Sequence, residues 1–268
     1  PIPRTLAMIM YGDLNVSVLD ELPPGRKDVD TFCVDTSYHE RIYKYIKKHL
    51  DAGLQGYIVC PLVEEGEIDN DLISAEKYYK KLSSSEFANY KLGLLHGKMK
   101  PREKDEVMRK FSSGEIQLLI ATVVIEVGVD VPNAAIMVIE NAERFGLSQL
   151  HQLRGRIGRG SEKSTCVLVS DAKGEEAKRR FDTMCSTSDG FKIANVDLEM
   201  RGPGDFFGKR QHGLPKLRLA DVMTDTHLLM AAQNCAQNVI AKDKALSSEE
   251  NRRLRRQVDT LFKDSYGS

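Results

Sequence analysis

IQLLIATVVIEVGVDVPNAAIMVIE, residues 116–140, holds two apolar runs, IQLLIAT and AAIMVIE, joined by a segment carrying Gly128, Asp130 and Pro132. Each run is apolar on both faces and rich in Leu, Ile or Val, as a strand buried between two layers must be. STCVLVS at 164–170 has the same character. Upstream, DTFCVD, GYIVCPLV and YKLGLLHG alternate with amphipathic helical patterns. In YHERIYKYIKKHLDAG, Ile42, Ile46 and Leu50 recur at i, i+4 and i+8, with Gly53 past the end. A second helix lies around AEKYYKKL, and Pro101 opens a third, with Val107, Met108 and Phe111 on one face. Strand and helix in repetition predict an α/β fold with a parallel sheet.

In open sheets of this kind ligands sit at the carboxyl ends of the strands. Three informative stretches are expected there: LLHGKM, IATVVIEVGVDVP, and HQLRGRIGRG at 151–160. After about residue 172 the pattern turns to helices, with one polar, glycine-rich insertion, LEMRGPGDFFGKRQHG, read as a closely packed mobile loop. SSEENRRLRRQVDTLF predicts a final helix with capping-box spacing from Ser247 to Glu250 and a solvated arginine face.

Composition narrows the function classes. The 268 residues, 41% of them hydrophobic, suffice for one large or two modest globular domains. Lys+Arg and Asp+Glu balance at 39 each, so nucleic-acid contact must come from local clusters and be weak and salt-dependent. Five scattered cysteines with no C-x-x-C or Cys/His spacing predict a reducing compartment and no structural zinc or other bound metal. No apolar stretch approaches the roughly 18–20 residues of a membrane span. A cytoplasmic, monomeric protein without membrane contact is expected. PIPRTLAMIMYGDL opens without Met, as a segment cut from a longer chain does.

HQLRGRIGRG sets Arg154, Arg156 and Arg159 among three glycines with no acidic residue beside them. Such forks can hold a nucleic-acid backbone or a nucleotide, or face water. A self-sufficient triphosphate site requires G-x-x-x-x-G-K-[ST], and the sequence has none. Gly97-Lys98 is followed by Met99, Gly208-Lys209 fails as well, and GPGDFF has Phe207 where a third glycine is needed. Asp20-Glu21 precedes Pro23-Pro24, which argues for an extended turn and against a metal site.

These residues resemble those of a known family. QLRGRIGR fits Q-x-x-G-R-x-G-R, motif VI of the superfamily 2 helicases, and ATVVIEVGVDVP is similar to their motif V. LHGKMKPREKDEVMRKFSSGE resembles the motif before it, and PIPRTL the tail of motif III. GDLNVSVLDELPPGRK and DLEMRGPGDFFGKRQHG resemble the RecG family of branch-migration translocases, the second stretch being similar to its TRG translocation motif. Where that family usually has Ser and Glu, this chain has His212 and Asp205. The transcription-repair coupling factors share the translocation motif but generally lack the DELPPGRK segment.

The resemblance implies a second RecA-like motor domain of P-loop NTPase type over residues 1–172, with 1–28 a linker from motif III. A mainly helical C-terminal region over 173–268 would carry the translocation motif. It implies the C-terminal half of an ATP-dependent translocase that remodels branched double-stranded DNA. ATP and Mg2+ would be bound mainly by a first RecA-like domain, which with a wedge domain belongs to the same polypeptide; the chain alone would hold neither and be inactive. Arg159 would be the arginine finger, with Arg156 beside it and Gln152 orienting nucleotide or coupling to DNA. Gly128, Asp130, Gly155 and Gly158 would contact nucleotide, and His96, Gly97, Thr122, Glu126, Arg201 and Gln211 would serve DNA binding or translocation. Arg154 stands at an unspecified position, and a surface role is expected. Two other classes remain: a nucleic-acid module without ATP, needing a continuous basic face, and a partner-binding fragment, needing an exposed apolar stripe.

Overall fold

The computed structural model describes residues 28–61, 75–122, 131–160, 162–207 and 226–266, with backbone alone at 201–207, 226, 227, 229, 230 and 261–266. Six strands are β1 (Val29–Val34), β2 (Gln55–Val59), β3 (Leu92–Leu95), β4 (Leu118–Ala121), β5 (Ala134–Ile139) and β6 (Ser164–Val169). They form one sheet in the order β1-β6-β5-β2-β4-β3, and every neighbouring pair is parallel. β2, β4, β5 and β6 are buried at every residue, which accounts for their unbroken apolar runs.

Helices cover both faces. α1 (His39–Asp51) buries Ile42, Tyr43, Ile46 and Leu50, and the chain leaves it through Gly53 at φ 83°, a left-handed turn open to glycine. α2 (Ala75–Ser84) lies beside it, and both pack on Ile58, Ile120, Ile136 and Val138. Successive strand residues point to opposite faces, so Tyr57 faces the other layer, where its ring lies 4.8 Å from that of Phe111 in α3 (Pro101–Ser112). α3 starts at its proline, and the Lys100 N–H donates to Glu103 Oε2 at 2.9 Å. α4 (Leu147–Arg154) and α5 (Glu175–Ser186) share that layer, with Leu147, Leu150, Leu153, Phe181 and Met184 buried.

The first compact unit runs to Asp197 and a second begins at Leu198. The change of sequence pattern near residue 172 falls inside the first unit, because α5 and the start of α6 (Gly190–Phe207) bury Phe181, Met184, Ile193 and Ala194. α6 departs from the expected loop. Anchored at Ile193, Ala194 and Leu198, it stays helical through Arg201, Gly202, Pro203 and Gly204 to Phe207, even though Pro203 removes one donor from its ladder.

The second unit contains α7 (Thr226–Lys242) and α8 (Arg252–Tyr266). The capping box expected at Ser247 and Glu250 does not form. The Asp243 carboxylate instead accepts from the backbone N–H groups of Ser247 and Ser248 at 2.9 and 2.8 Å and from Asn251 Nδ2 at 3.1 Å. Those bonds hold 247–251 as a turn, push the Asp243 pKa well below the usual carboxylate range, and delay α8 to Arg252.

Candidate functional site

The residues singled out in sequence divide between the two edges of the sheet. At the carboxyl edge, His96 and Gly97 follow β3 and Thr122 follows β4. The Thr122 N–H donates to Leu95 O at 3.0 Å, which brings these loops side by side. The His96 ring turns toward α2, with Nε2 3.6 Å from Glu76 Oε1, and the Gly97 carbonyl accepts from Lys104 Nζ at 2.8 Å. Thr122 is 6% exposed, and its Oγ1 has no hydrogen-bond partner among the described residues.

The arginine-rich stretch lies elsewhere. α4 runs back from the carboxyl end of β5 and ends at Gly155, whose N–H donates to His151 O at 3.0 Å. The chain then turns through Gly158 at φ 79°. A Cβ on Gly160 would stand 2.2 Å from Pro132 O, so this backbone lies against the residues that lead into the amino end of β5. Gln152 in α4 and Arg159 are exposed and Arg156 is half-buried, and Arg159 Nε donates to Gly155 O at 3.3 Å. The expectation that every informative stretch lies at the carboxyl ends holds for His96, Gly97 and Thr122. It fails for the end of the arginine-rich stretch, because the chain returns from the carboxyl end of β5 through α4 and the turn at Gly158 to lie against Pro132 at the amino end of β5.

A surface role for Arg154 is also corrected. Arg154 is 4% exposed; Nη1 donates to Met184 O at 2.7 Å and to Thr31 Oγ1 at 3.3 Å, and Nη2 lies 3.3 Å from His151 Nδ1. The first arginine of the stretch therefore ties α4 to α5 and β1, and the fixed α4 presents the other two. Glu126, Gly128, Asp130 and Gln211 lie outside the described residues, as does the Arg201 side chain; the Arg201 backbone belongs to α6.

Sequence reasoning missed one cluster at the carboxyl edge. Glu140 directly follows β5 and is 6% exposed. It accepts from Tyr78 OH at 2.6 Å and lies 3.0 and 3.1 Å from His39 Nε2. Tyr78 OH is 2.7 Å from Tyr43 OH. The hydrogen bond to Glu140 raises the His39 pKa against the opposing effect of burial, and burial pushes Tyr43 up to about 12. An acid closing the otherwise apolar AAIMVIE was the available signal. Among the described residues no three His, Cys, Asp or Glu side chains gather as metal ligands would, and no helix is long and apolar enough to cross a membrane.

Residues 39–161 match the helicase conserved C-terminal domain, and residues 187–266 match domain 3, C-terminal, of the ATP-dependent DNA helicase RecG. The ATP-dependent DNA helicase RecG of Bacillus subtilis is 48% identical over 263 residues, 98% of this chain. The chain belongs to the RecG family. Its parallel sheet is the RecA-like fold of the helicase C-terminal domain. RecG of Thermotoga maritima is 47% identical over 93% of the chain. A structure of RecG bound to a three-way DNA junction superposes with a TM-score of 0.68 and 47% identity, over 85% of this chain and 29% of that one. The chain spans 38% of the Bacillus RecG and 32% of the Thermotoga RecG.

Proposed function

We propose that this chain is the C-terminal motor half of an ATP-dependent translocase that remodels branched double-stranded DNA in recombination and repair. The observation that carries this reading is the fixing of one arginine of motif VI so that two others can be presented. Arg154 is buried and bonded to Met184 O, while Arg156 and Arg159 follow on a turn held against Pro132 O through Gly160. Arg159 is the finger and Arg156 its neighbour, supported by the match of 39–161 to the helicase C-terminal domain.

The fit to a nucleotide is partial. Planar guanidinium groups suit γ-phosphate oxygens, but the chain has no G-x-x-x-x-G-K-[ST] to hold the other phosphates. MgATP therefore binds mainly to a first RecA-like domain of the same polypeptide and supplies, when bound, the phosphoryl group transferred to water. Arg159 approaches from this domain and stabilises the charge that spreads over the transferred group. Gln152 orients the nucleotide from α4, Gly155 and Gly158 let the backbone come close, and Gly128 and Asp130 contact the nucleotide, the Asp130 carboxylate accepting from a ribose hydroxyl or an arginine. The opposite edge serves DNA, through His96, Gly97 and Thr122, and Glu126 of motif V takes part in DNA binding. Arg201 and Gln211 of the TRG motif transmit domain closure to the duplex as a two-state motion.

A mixing experiment tests the division of labour. The purified chain is expected to hydrolyse ATP at background rate with or without forked DNA, and to restore DNA-stimulated turnover when combined with the N-terminal wedge and first motor domains. Turnover by this chain alone, abolished in Arg159→Ala, would refute the split site.

A further inference from the structure

On the face covered by α1, the helix stops short of the sheet margin. β1 is the outermost strand, and Phe32 and Val34 are in register with Val167 and Val169, so all four point toward α1. Phe32 nonetheless remains 52% exposed. The uncovered strip is an open groove of about 610 Å³ whose floor is Phe32, Val34 and Val167. Tyr38 and Tyr45 also line it, exposed at 42% and 37%.

The rim is cationic. Arg41, Lys44 and Lys48 line the groove at i, i+3 and i+7, one stripe of α1. Among the described residues Asp30 is the one carboxylate lining it, and Lys163 Nζ holds that group at 2.7 Å. Lys44 reaches Glu40 at 2.6 Å, whereas Arg41 and Lys48 have no ion pair among the described residues. Three accessible rings beside a row of cations match what a single strand offers: unstacked planar bases at a regular spacing along an anionic backbone. A duplex hides its base faces, and its phosphates alone would leave the rings unused.

We propose that this groove binds a single strand of nucleic acid, with a base stacked on Phe32 and backbone phosphates held by Arg41 and Lys48. The groove is separate from the DNA edge assigned above. It lies at the β1 margin, five strand spacings or roughly 24 Å from β3 and His96, and it does not depend on the motor reading. A branched substrate that exposes single-stranded arms would give the protein a second, sequence-tolerant hold.

Fluorescence anisotropy with a short labelled oligothymidylate tests the proposal on the full chain. Phe32→Ala is expected to weaken binding by roughly 5- to 100-fold, and Phe32→Tyr to keep it. Arg41→Gln and Lys48→Gln should each reduce the slope of log K against log salt by about 0.7. Circular dichroism melting verifies that each variant folds. Photocrosslinking of an iodouracil oligonucleotide to the unmodified chain, expected at Phe32, Tyr38 or Tyr45, needs no variant. Unchanged affinity and slopes, or crosslinks confined to the loops around His96 and Thr122, would overturn the assignment. So would Phe32-dependent capture of an acidic Glu/Leu peptide without capture of the oligonucleotide, which would give the groove to a protein partner.

Discussion

A buried guanidinium is tolerated only when its donors are used, and Arg154 directs its own to Met184 O, Thr31 Oγ1 and the His151 ring. Arg154→Ala removes them, leaves a buried carbonyl short of a partner and opens a cavity, so urea unfolding should show a loss of roughly 2–4 kcal/mol. Arg159→Ala, at an exposed position, should change stability by less than about 0.5 kcal/mol. Equal effects would mean that the Arg154 anchor does not hold α4. His39 carries a different signature. Its folded pKa is raised, first by the hydrogen bond its ring donates to Glu140, with the charges of Glu140 and Asp171 adding to this and burial and Lys81 opposing it. A raised folded pKa means that the protonated form stabilises the fold below the unfolded value, near 6.5, and that this contribution is lost as pH rises through the folded value. The urea midpoint should therefore fall between pH 6 and pH 8, and His39→Gln should flatten that dependence; an equally steep slope in the variant would point to another group.

At the scale of elements, the α4–β6 connection rests on two glycines with different demands. Gly158 needs a left-handed backbone at φ 79°, so Gly158→Ala should cost roughly 1–2 kcal/mol. Gly160 needs space, since a Cβ would stand 2.2 Å from Pro132 O. Backbone must move to accept it, and Gly160→Ala should lower the melting temperature more than Gly158→Ala does. The reverse order would contradict the close approach of this loop to the entry of β5. The strands and helices were legible because each carries a local pattern: the doubly buried runs of β4, β5 and β6, the i, i+4, i+8 stripe of α1, and the proline that opens α3. What escaped was long-range or competitive. Nothing between Arg154 and Met184 in the chain signals that they meet, and no local rule announces that Tyr78, His39 and Glu140 converge. The spacing at Ser247 and Glu250 was correct for a capping box, but Asp243 offers the same backbone N–H groups a charged acceptor. The direction of α4 decided the largest departure, since a helix returning from β5 delivers its C-terminal arginines to the opposite edge from His96.

For the whole molecule, that separation becomes the basis of the mechanism. One edge of the sheet carries the loops of His96 and Thr122, the other carries Arg156 and Arg159, and the chain from Thr122 to Val131 joins the two. In the mechanism we propose, nucleotide is met at one edge and DNA at the other, and the sheet between them couples the two. Removing the Arg159 guanidinium should take away transition-state stabilisation and little else, whereas Gln211→Ala should spare hydrolysis and impair its conversion into unwinding. The most direct measurement is DNA-stimulated ATP hydrolysis and fork unwinding, recorded side by side on the full-length protein carrying each change. The account predicts that Arg159→Ala lowers kcat by roughly 10³-fold or more with branched-DNA affinity nearly unchanged, while Gln211→Ala keeps hydrolysis and loses unwinding. An Arg159→Ala enzyme that retains kcat within about tenfold of the parent would contradict it.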